Sequence, residues 1–246
     1  MGYIDRTNEA SQHRTNRRGN RILNRHDPTR TIEDIDSIVL HNMGFERCGD
    51  ADAYDQVTAH YAVLLNGLTL KLWDEEYNLN SSNSLNSHSI AIEFEGKFPG
   101  AHRRLYSQEQ CERRGYDYPT LAQIRSGRQL IRHLINQFTN ITHVYAHMQV
   151  HSGKGCPGPH IWYNLGRWST QHLGLINDLP PNSRRFRRQI RASYFDFRYN
   201  ISLRPQSYHD PMDDALIRRI RIDRELQICG QEPPTQILQR NNYTCE

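Results

Sequence analysis

The strong apolar pattern of the chain begins only after about thirty residues of mostly polar sequence. The run SIVLH, residues 37–41, predicts a buried strand that ends at His41. The segment HYAVLLNGLTLKLW, residues 60–73, holds two apolar runs joined by Asn66 and Gly67. This pair favours a type I′ turn, so the segment is predicted to form a β-hairpin.

Two further stretches have the pattern of strands. In HSIAIEFEG, residues 88–96, the large apolar side chains alternate with alanine and two glutamates. Glu93 and Glu95 are therefore predicted on the face opposite the isoleucines, with Glu95 interpreted as an exposed strand charge. The segment ITHVYAH, residues 141–147, predicts another short strand that ends in a histidine.

Helical spacing appears in two places. TLAQIRSGRQLIRHLINQF, residues 120–138, predicts an amphipathic helix, and Thr120 with Gln123 predicts a capping box at its start. HIWYNLGRW, residues 160–168, predicts a short helix. The order strand, hairpin, strand, helix, strand, helix predicts an α/β fold with a central mixed β-sheet flanked by helices.

The two ends of the chain differ in composition from this middle part. Residues 1–30 are rich in Arg and Asn without an apolar period, which predicts an extended or disordered N-terminal arm. A boundary near NDLPPNS separates the central domain, residues 31–178, from a basic C-terminal extension, residues 179–246. The extension opens with RRFRRQIRASYFDFR, and we expect it to pack partly on the core and to contact an anionic polymer. A solvated basic face and a nucleic-acid contact are its other interpretations.

Composition sets broad limits on the class of protein. The chain has 246 residues, 36% hydrophobic residues and a net charge of +4, which suit one substantial domain with extensions. No apolar run reaches the roughly 18 residues of a membrane span, and the polar N-terminus is unlike a secretory signal peptide. We therefore expect synthesis in the cytoplasm. The five cysteines are odd in number and scattered, unlike a disulfide framework.

Candidate chemistry is concentrated at the ends of two predicted strands and in the loop that follows. His41 and His147 each end a strand, and Cys156 follows in the loop HSGKGCPGP. Two imidazoles and one thiolate suit zinc, whose catalytic sites have three protein ligands. With 13 histidines in the chain, structural histidines and a buried or disulfide-bonded cysteine remain alternatives on this pattern alone.

Four motifs in order are more specific than any one of them. IVLHNMG, AHYAVLLNGLTLKL, HSIAIEFEG and YAHMQVHSGKGCPGP, within roughly residues 32–175, resemble the zinc-dependent N-acetylmuramoyl-L-alanine amidases. That family includes phage lysozyme-type amidases and peptidoglycan recognition proteins. The resemblance implies a mixed sheet flanked by helices, Zn²⁺ as cofactor, and hydrolysis of the amide between N-acetylmuramic acid and L-alanine in bacterial peptidoglycan.

The resemblance also implies roles for individual residues. His41, His147 and Cys156 match the zinc ligands. Glu93 matches a glutamate that transfers protons, and Lys154 matches a lysine that stabilises the developing oxyanion.

The sequence departs from the family at two places. Where the branch with a cysteine ligand often has a catalytic tyrosine, this chain has Ala59. Tyr61 is expected on the same face as Ala59, and Tyr61 and His88 are predicted as substrate-binding candidates. The segment before the third strand is replaced by NLNSSNSLNSH.

Two other functions compete with hydrolysis. One is a non-catalytic peptidoglycan-binding module, and the other is a nucleic-acid-associated protein. In the enzymatic interpretation the protein acts at the cell wall or periplasm. It would reach that place after release, as a phage lysin does, or after specialised export, as a secreted effector does. The basic extension, residues 179–246, is then expected to contact anionic wall polymers. An immunity or regulatory partner would fit the second setting.

Overall fold

The computed structural model describes residues 2–47, 50–98, 118–151 and 155–178. They form a six-stranded sheet of order β1-β4-β3-β5-β2-β6, in which only β3 and β4 pair antiparallel. The strands are β1 (Tyr3–Asp5), β2 (Ser37–Asn42), β3 (Tyr61–Val63), β4 (Thr69–Lys71), β5 (Ser89–Phe94) and β6 (His143–Ala146). The predicted mixed sheet is confirmed. Lys154 and the extension 179–246 lie outside the described residues.

Helices cover the sheet and connect its strands. The α-helices are α1 (Thr7–Ala10), α2 (Leu121–Gln137), α3 (Pro159–Ile161) and α4 (Trp168–His172), with a π-helix at Trp162–Arg167 between the last two. The 3-10 helices are Ile32–Asp34, Ala51–Tyr54, Asn83–Leu85 and His147–Gln149. Among these helices none is both long and apolar enough to cross a bilayer.

Helix α2 begins with the capping box that the sequence predicts. The Gln123 backbone N–H donates to the Thr120 hydroxyl at 3.0 Å, and the Thr120 N–H donates to the Gln123 side chain at 3.4 Å. The apolar stripe of α2 packs on the face of the sheet that carries the isoleucines of β2 and β5. This first core contains, among others, Ile38, Leu40, Ile90, Ile92, Leu130, Ile131 and Leu134.

The hairpin between β3 and β4 is confirmed, but its turn is not of type I′. Leu64 donates its N–H to the carbonyl of Leu68 at 2.8 Å, so the loop between them has three residues. Gly67 has φ +83°, whereas Asn66 is not among the described residues with positive φ. A type I′ turn needs positive φ at both central residues, and a three-residue loop needs it only at its last position.

The N-terminal segment is ordered against the sheet, so the prediction of an extended or disordered arm is wrong. β1 pairs in parallel with β4, and the side chains of Ala10 and Ile22 are fully buried in a second core on the other face of the sheet. The Arg6 guanidinium donates two hydrogen bonds of 2.7 Å to Asp55. Because specific polar contacts and few apolar residues hold this segment, it shows no apolar period.

Glu95 is fully buried, so its interpretation as an exposed strand charge is also wrong. Its carboxylate accepts hydrogen bonds from the Tyr54 hydroxyl and from the backbone N–H groups of Arg47 and Leu65. These donors replace water around the charge, which allows a carboxylate to lie in the interior. Burial and the neighbouring Glu95 carboxylate raise the pKa of Tyr54 above its usual value.

Candidate metal centre

The site lies at the carboxyl ends of three neighbouring parallel strands. His41 is the penultimate residue of β2, Glu93 is opposite it in the register of β5, and His147 directly follows β6. Parallel strands bring their carboxyl ends to one edge of the sheet, where α/β proteins commonly place ligands. The alternation along β2 and β5 directs His41 and Glu93 to the same face.

Three side chains form a compact group of potential metal ligands. One nitrogen each of His41 and His147 and the sulfur of Cys156 all lie within 4.8 Å of one another. The imidazole centroids are 4.4 Å apart, and the three residues are 2%, 8% and 6% exposed. Small side-chain rotations bring such atoms to the roughly 2.0–2.3 Å that zinc requires. Two imidazoles and one sulfur are a donor set that fits zinc.

Main-chain contacts hold Cys156 next to β2 and β6. The backbone N–H of Asn42 points at the Cys156 sulfur at 3.1 Å. The carbonyl of Cys156 accepts a hydrogen bond from the Met148 N–H at 2.8 Å, in the turn that follows β6. The loop therefore returns its cysteine to the histidines, and an N–H directed at the sulfur suits a thiolate ligand.

Glu93 lies beside this group and keeps contact with solvent. Its Oε1 is 3.9 Å from Nδ1 of His41, and its side chain is 18% exposed. The adjacent position on β3 is Ala62. A carboxylate that borders three potential ligands and remains partly accessible is placed to exchange a proton with a bound molecule.

The comparison with protein families agrees with this geometry. The family model described as N-acetylmuramoyl-L-alanine amidase matches residues 31–159. The chain belongs to this amidase family. No curated protein sequence matches the chain. The family match covers both histidines and Cys156, so the candidate metal centre lies within the part of the chain that defines the family.

Several solved structures resemble this amidase-family chain. The endolysin amidase LysCS from Clostridium intestinale has 18% identity, a TM-score of 0.45, and covers 61% of this chain and 90% of its own. The Ph2119 endolysin of a Thermus scotoductus bacteriophage has 15% identity and a TM-score of 0.43, and the match covers 63% of this chain and 91% of the endolysin. Bumblebee PGRP-SA has 13% identity and a TM-score of 0.48, and the match covers 71% of this chain and 96% of PGRP-SA. The family assignment rests on the family model alone.

Two residues next to the histidines were missed by the sequence analysis. The Ser82 hydroxyl is 3.2 Å from Nε2 of His41, and the Asn83 side-chain amide is 3.3 Å from Nε2 of His147. Both belong to the polar segment NLNSSNSLNSH, which departs from the family pattern. Serine and asparagine are common in loops, so the sequence carried no signal for these contacts.

Tyr61 does not lie in the groove, so the prediction that it binds substrate there is wrong. In the register of β3 and β5, Ala62 is opposite Glu93, and Tyr61 is opposite Ile92. Tyr61 therefore points into the first core, where it is 2% exposed, and its hydroxyl donates to Glu75. Burial raises the pKa of the Tyr61 hydroxyl above its usual value.

His88 lies at the opposite end of the sheet from the metal group, which also contradicts its predicted role in substrate binding. It precedes β5, and its carbonyl accepts hydrogen bonds from Asp36 and Ser37 at the start of β2. At about 3.3 Å per strand residue, the five positions to Glu93 span roughly 16 Å. Sequence alternation predicts the face of the sheet on which a side chain lies. It does not predict whether that side chain is at the end of the strand that carries the proposed metal ligands.

Proposed function

We propose that the protein is a zinc-dependent N-acetylmuramoyl-L-alanine amidase that cleaves the amide between N-acetylmuramic acid and L-alanine in bacterial peptidoglycan. The observation that carries the proposal is the convergence of His41, His147 and Cys156 beside the partly exposed Glu93. Membership of the amidase family supports the proposed substrate and the proposed position of the bond that is cleaved. The proposed place of action is the bacterial cell wall or periplasm, reached after release or specialised export.

The three converging side chains are the proposed zinc ligands. Bound there, zinc would act as a Lewis acid toward a carbonyl oxygen and would make water a stronger acid. The protein contributes a rigid edge of sheet, because one proposed ligand lies in β2 and a second directly follows β6. Burial of the ligands limits competition from bulk water.

Glu93 is the proposed general base and general acid. Its carboxylate accepts a proton from the attacking water and then donates that proton to the leaving nitrogen of L-alanine. One carboxylate can serve both steps because Glu93 lies directly beside the proposed zinc ligand His41, on the same face of the sheet. Lys154 remains the predicted source of positive charge near the developing oxyanion, on the basis of its place two residues before Cys156.

The test combines metal analysis with identification of the bond that is cut. Purified full-length protein is expected to hold about one zinc per chain, since three donors converge on one position. Mass spectrometry of digested peptidoglycan is expected to show a free L-alanine amine and intact glycan strands. Replacing His41, His147 or Cys156 by Ala should remove most of the zinc, whereas the control His133→Ala changes an exposed histidine on α2 and should not.

Two results would contradict the proposal in different ways. If all three ligand variants keep full zinc occupancy, the ligand assignment is wrong. A zinc-loaded protein that binds peptidoglycan and releases no product would instead be a recognition module without hydrolytic activity.

A further inference from the structure

One short stretch of chain contacts both histidines of the metal group. Ser82 reaches Nε2 of His41 at 3.2 Å, and the next residue, Asn83, reaches Nε2 of His147 at 3.3 Å. The two histidines come from strands β2 and β6, far apart in the sequence. Two consecutive residues therefore contact the same nitrogen of both rings.

This stretch is held firmly in place. Ser82 is fully buried, and its N–H donates to the Asn86 side chain at 2.6 Å. Leu85 packs in a small core cluster with Val39 and Tyr145, which lie on the strands that carry the histidines. The stretch is therefore anchored to the same two strands whose ends it contacts.

The backbone at Asn83 is unusual. It has φ +53°, and it is the only non-glycine residue of the described ranges with a positive φ. The left-handed region costs roughly 1–2 kcal/mol for most L-residues and is tolerated best by asparagine and aspartate. This conformation directs the side chain of an otherwise exposed residue toward His147.

We propose that Ser82 and Asn83 are positioning residues for the metal centre, an inference that rests on the proposed zinc site. A neutral imidazole can offer a lone pair on only one nitrogen, and a partner on the other nitrogen selects that tautomer and fixes the ring. Ser82 and Asn83 hold Nε2 of the two rings, so Nδ1 of each is the nitrogen directed to the metal. His41 agrees with this assignment, because its Nδ1 lies 3.9 Å from Oε1 of Glu93, which borders the proposed ligands.

The chemistry of both side chains fits this role. With Nδ1 as ligand, each Nε2 carries hydrogen and needs an acceptor. The Ser82 hydroxyl oxygen can accept this hydrogen bond. The Asn83 atom that lies 3.3 Å from Nε2 is Nδ2, and a half-turn about the last torsion puts the acceptor Oδ1 in its place. An acceptor-only aspartate at position 83 should therefore retain the function of asparagine.

Zinc affinity of the full-length protein, measured by competition with a chromophoric chelator, tests the proposal without reference to catalysis. Ser82→Ala and Asn83→Gly are each expected to weaken zinc binding by about 10- to 100-fold, the usual cost of losing such a partner. Glycine at position 83 keeps the left-handed backbone, so that variant removes only the amide. Asn83→Asp should bind zinc within a few-fold of the wild type. Ser84→Ala, in the same 3-10 helix and exposed, is the matched control and should bind like the wild type.

A spectroscopic readout separates positioning from a general loss of structure. Cobalt-substituted Asn83→Gly should show an altered visible absorption spectrum, because a misoriented ring changes the ligand field, whereas its metal-free form should melt within a few degrees of the wild type. Wild-type zinc affinity in both Ser82→Ala and Asn83→Gly would overturn the proposal, and so would failure of Asn83→Asp to retain affinity.

The same series distinguishes the two proposals from each other. If the wild type binds no zinc, both the proposed ligand set and the proposed positioning role are wrong. If it binds zinc but does not cleave peptidoglycan, only the proposed function fails. The expected affinity losses in Ser82→Ala and Asn83→Gly would then still support the positioning role.

Discussion

At the scale of single residues, two glutamates only two positions apart have opposite environments. Glu93 is partly exposed beside His41, and Glu95 is fully buried among three hydrogen-bond donors. The alternation along β5 predicts that they share a face, and in the structure Glu95 directly follows the last residue of the strand. It cannot predict what covers each end of that face, because the covering residues come from distant parts of the chain.

The role of Glu93 can be tested by Glu93→Gln, which keeps the shape of the side chain and removes its proton affinity. We expect zinc to be retained and the rate of peptidoglycan cleavage to fall by about 10²-fold or more, as general-base removal usually causes. Glu76→Gln changes an exposed glutamate and is the control. A near-normal rate in zinc-loaded Glu93→Gln would place the base elsewhere.

Two buried histidines predict how stability depends on pH. Desolvation holds the pKa values of His60 and His160 well below the usual value of 6.5, with the charge of Arg30 adding to the effect at His60. Both are neutral in the folded protein and gain a proton on unfolding below pH 6.5. Stability should therefore be fully present above pH 6.5. It should fall as the pH decreases below that value, by up to about 1.4 kcal/mol per pH unit for each histidine.

Urea unfolding of metal-free protein between pH 7.5 and 5.5 measures this slope. His160→Phe keeps a ring next to Tyr118, whose own ring is 4.5 Å away, and should remove one histidine's share of the slope. His133→Asn, at an exposed position, should leave the slope unchanged. A free energy of unfolding that does not vary over this range would contradict the assignment.

At the scale of elements, local sequence predicts strands and helices better than the turns between them. The strands around His41 and Glu93 and the capping box of α2 follow from alternation and local side-chain chemistry. The Asn66–Gly67 pair correctly indicates a hairpin. The turn type differs because the pairing of Leu64 with Leu68 sets the loop length, and pairing between strands is not visible in a short window.

Gly67 should tolerate a side chain poorly for two separate reasons. Its φ is +83°, and an added Cβ would lie 3.0 Å from both the Cβ and the carbonyl oxygen of Ala122. Gly19 has a similar φ of +77° with no atom within 4 Å of such a Cβ, so Gly19→Ala measures the backbone cost alone. We expect about 1 kcal/mol of destabilisation for Gly19→Ala and roughly 1–3 kcal/mol more for Gly67→Ala in urea unfolding. Equal destabilisation in Gly19→Ala and Gly67→Ala would show that Ala122 moves away from the added methyl group at little cost.

At the scale of the whole molecule, the sequence outlined the part held by apolar packing and missed the part held by polar contacts. The family model matches residues 31–159, and five of the six described strands lie in that range. Residues 2–30 join the same fold through β1, the burial of Ile22 and the pair between Arg6 and Asp55. An ion pair between residues 49 positions apart has no signature in the periodicity of either segment.

Truncation after residue 178 tests the predicted role of the extension 179–246. The last described residues are tied to β6, since Asn177 donates to the Val144 carbonyl at 2.6 Å and Tyr145 donates to Asp178 at 3.2 Å. We therefore expect the truncated protein to bind zinc and to cleave small muropeptides. Its binding to intact walls should weaken, most clearly at low salt, where exposed charges act over the longest range.

Two outcomes would assign other roles to the extension. Loss of folding or zinc in the truncated protein would show that the extension completes the core. Undiminished binding to whole walls would show that its basic residues do not contact the substrate.

The position of β1 has a consequence for the behaviour of the protein in concentrated solution. β1 is the outermost strand and pairs residue by residue with β4. Without it, β4 would present unpaired backbone N–H and C=O groups, which can recruit a strand from another molecule. A protein that lacks its first six residues would thus be prone to self-association through this edge, even with its metal ligands intact. The three residues of β1 therefore cover the backbone groups at this edge of β4.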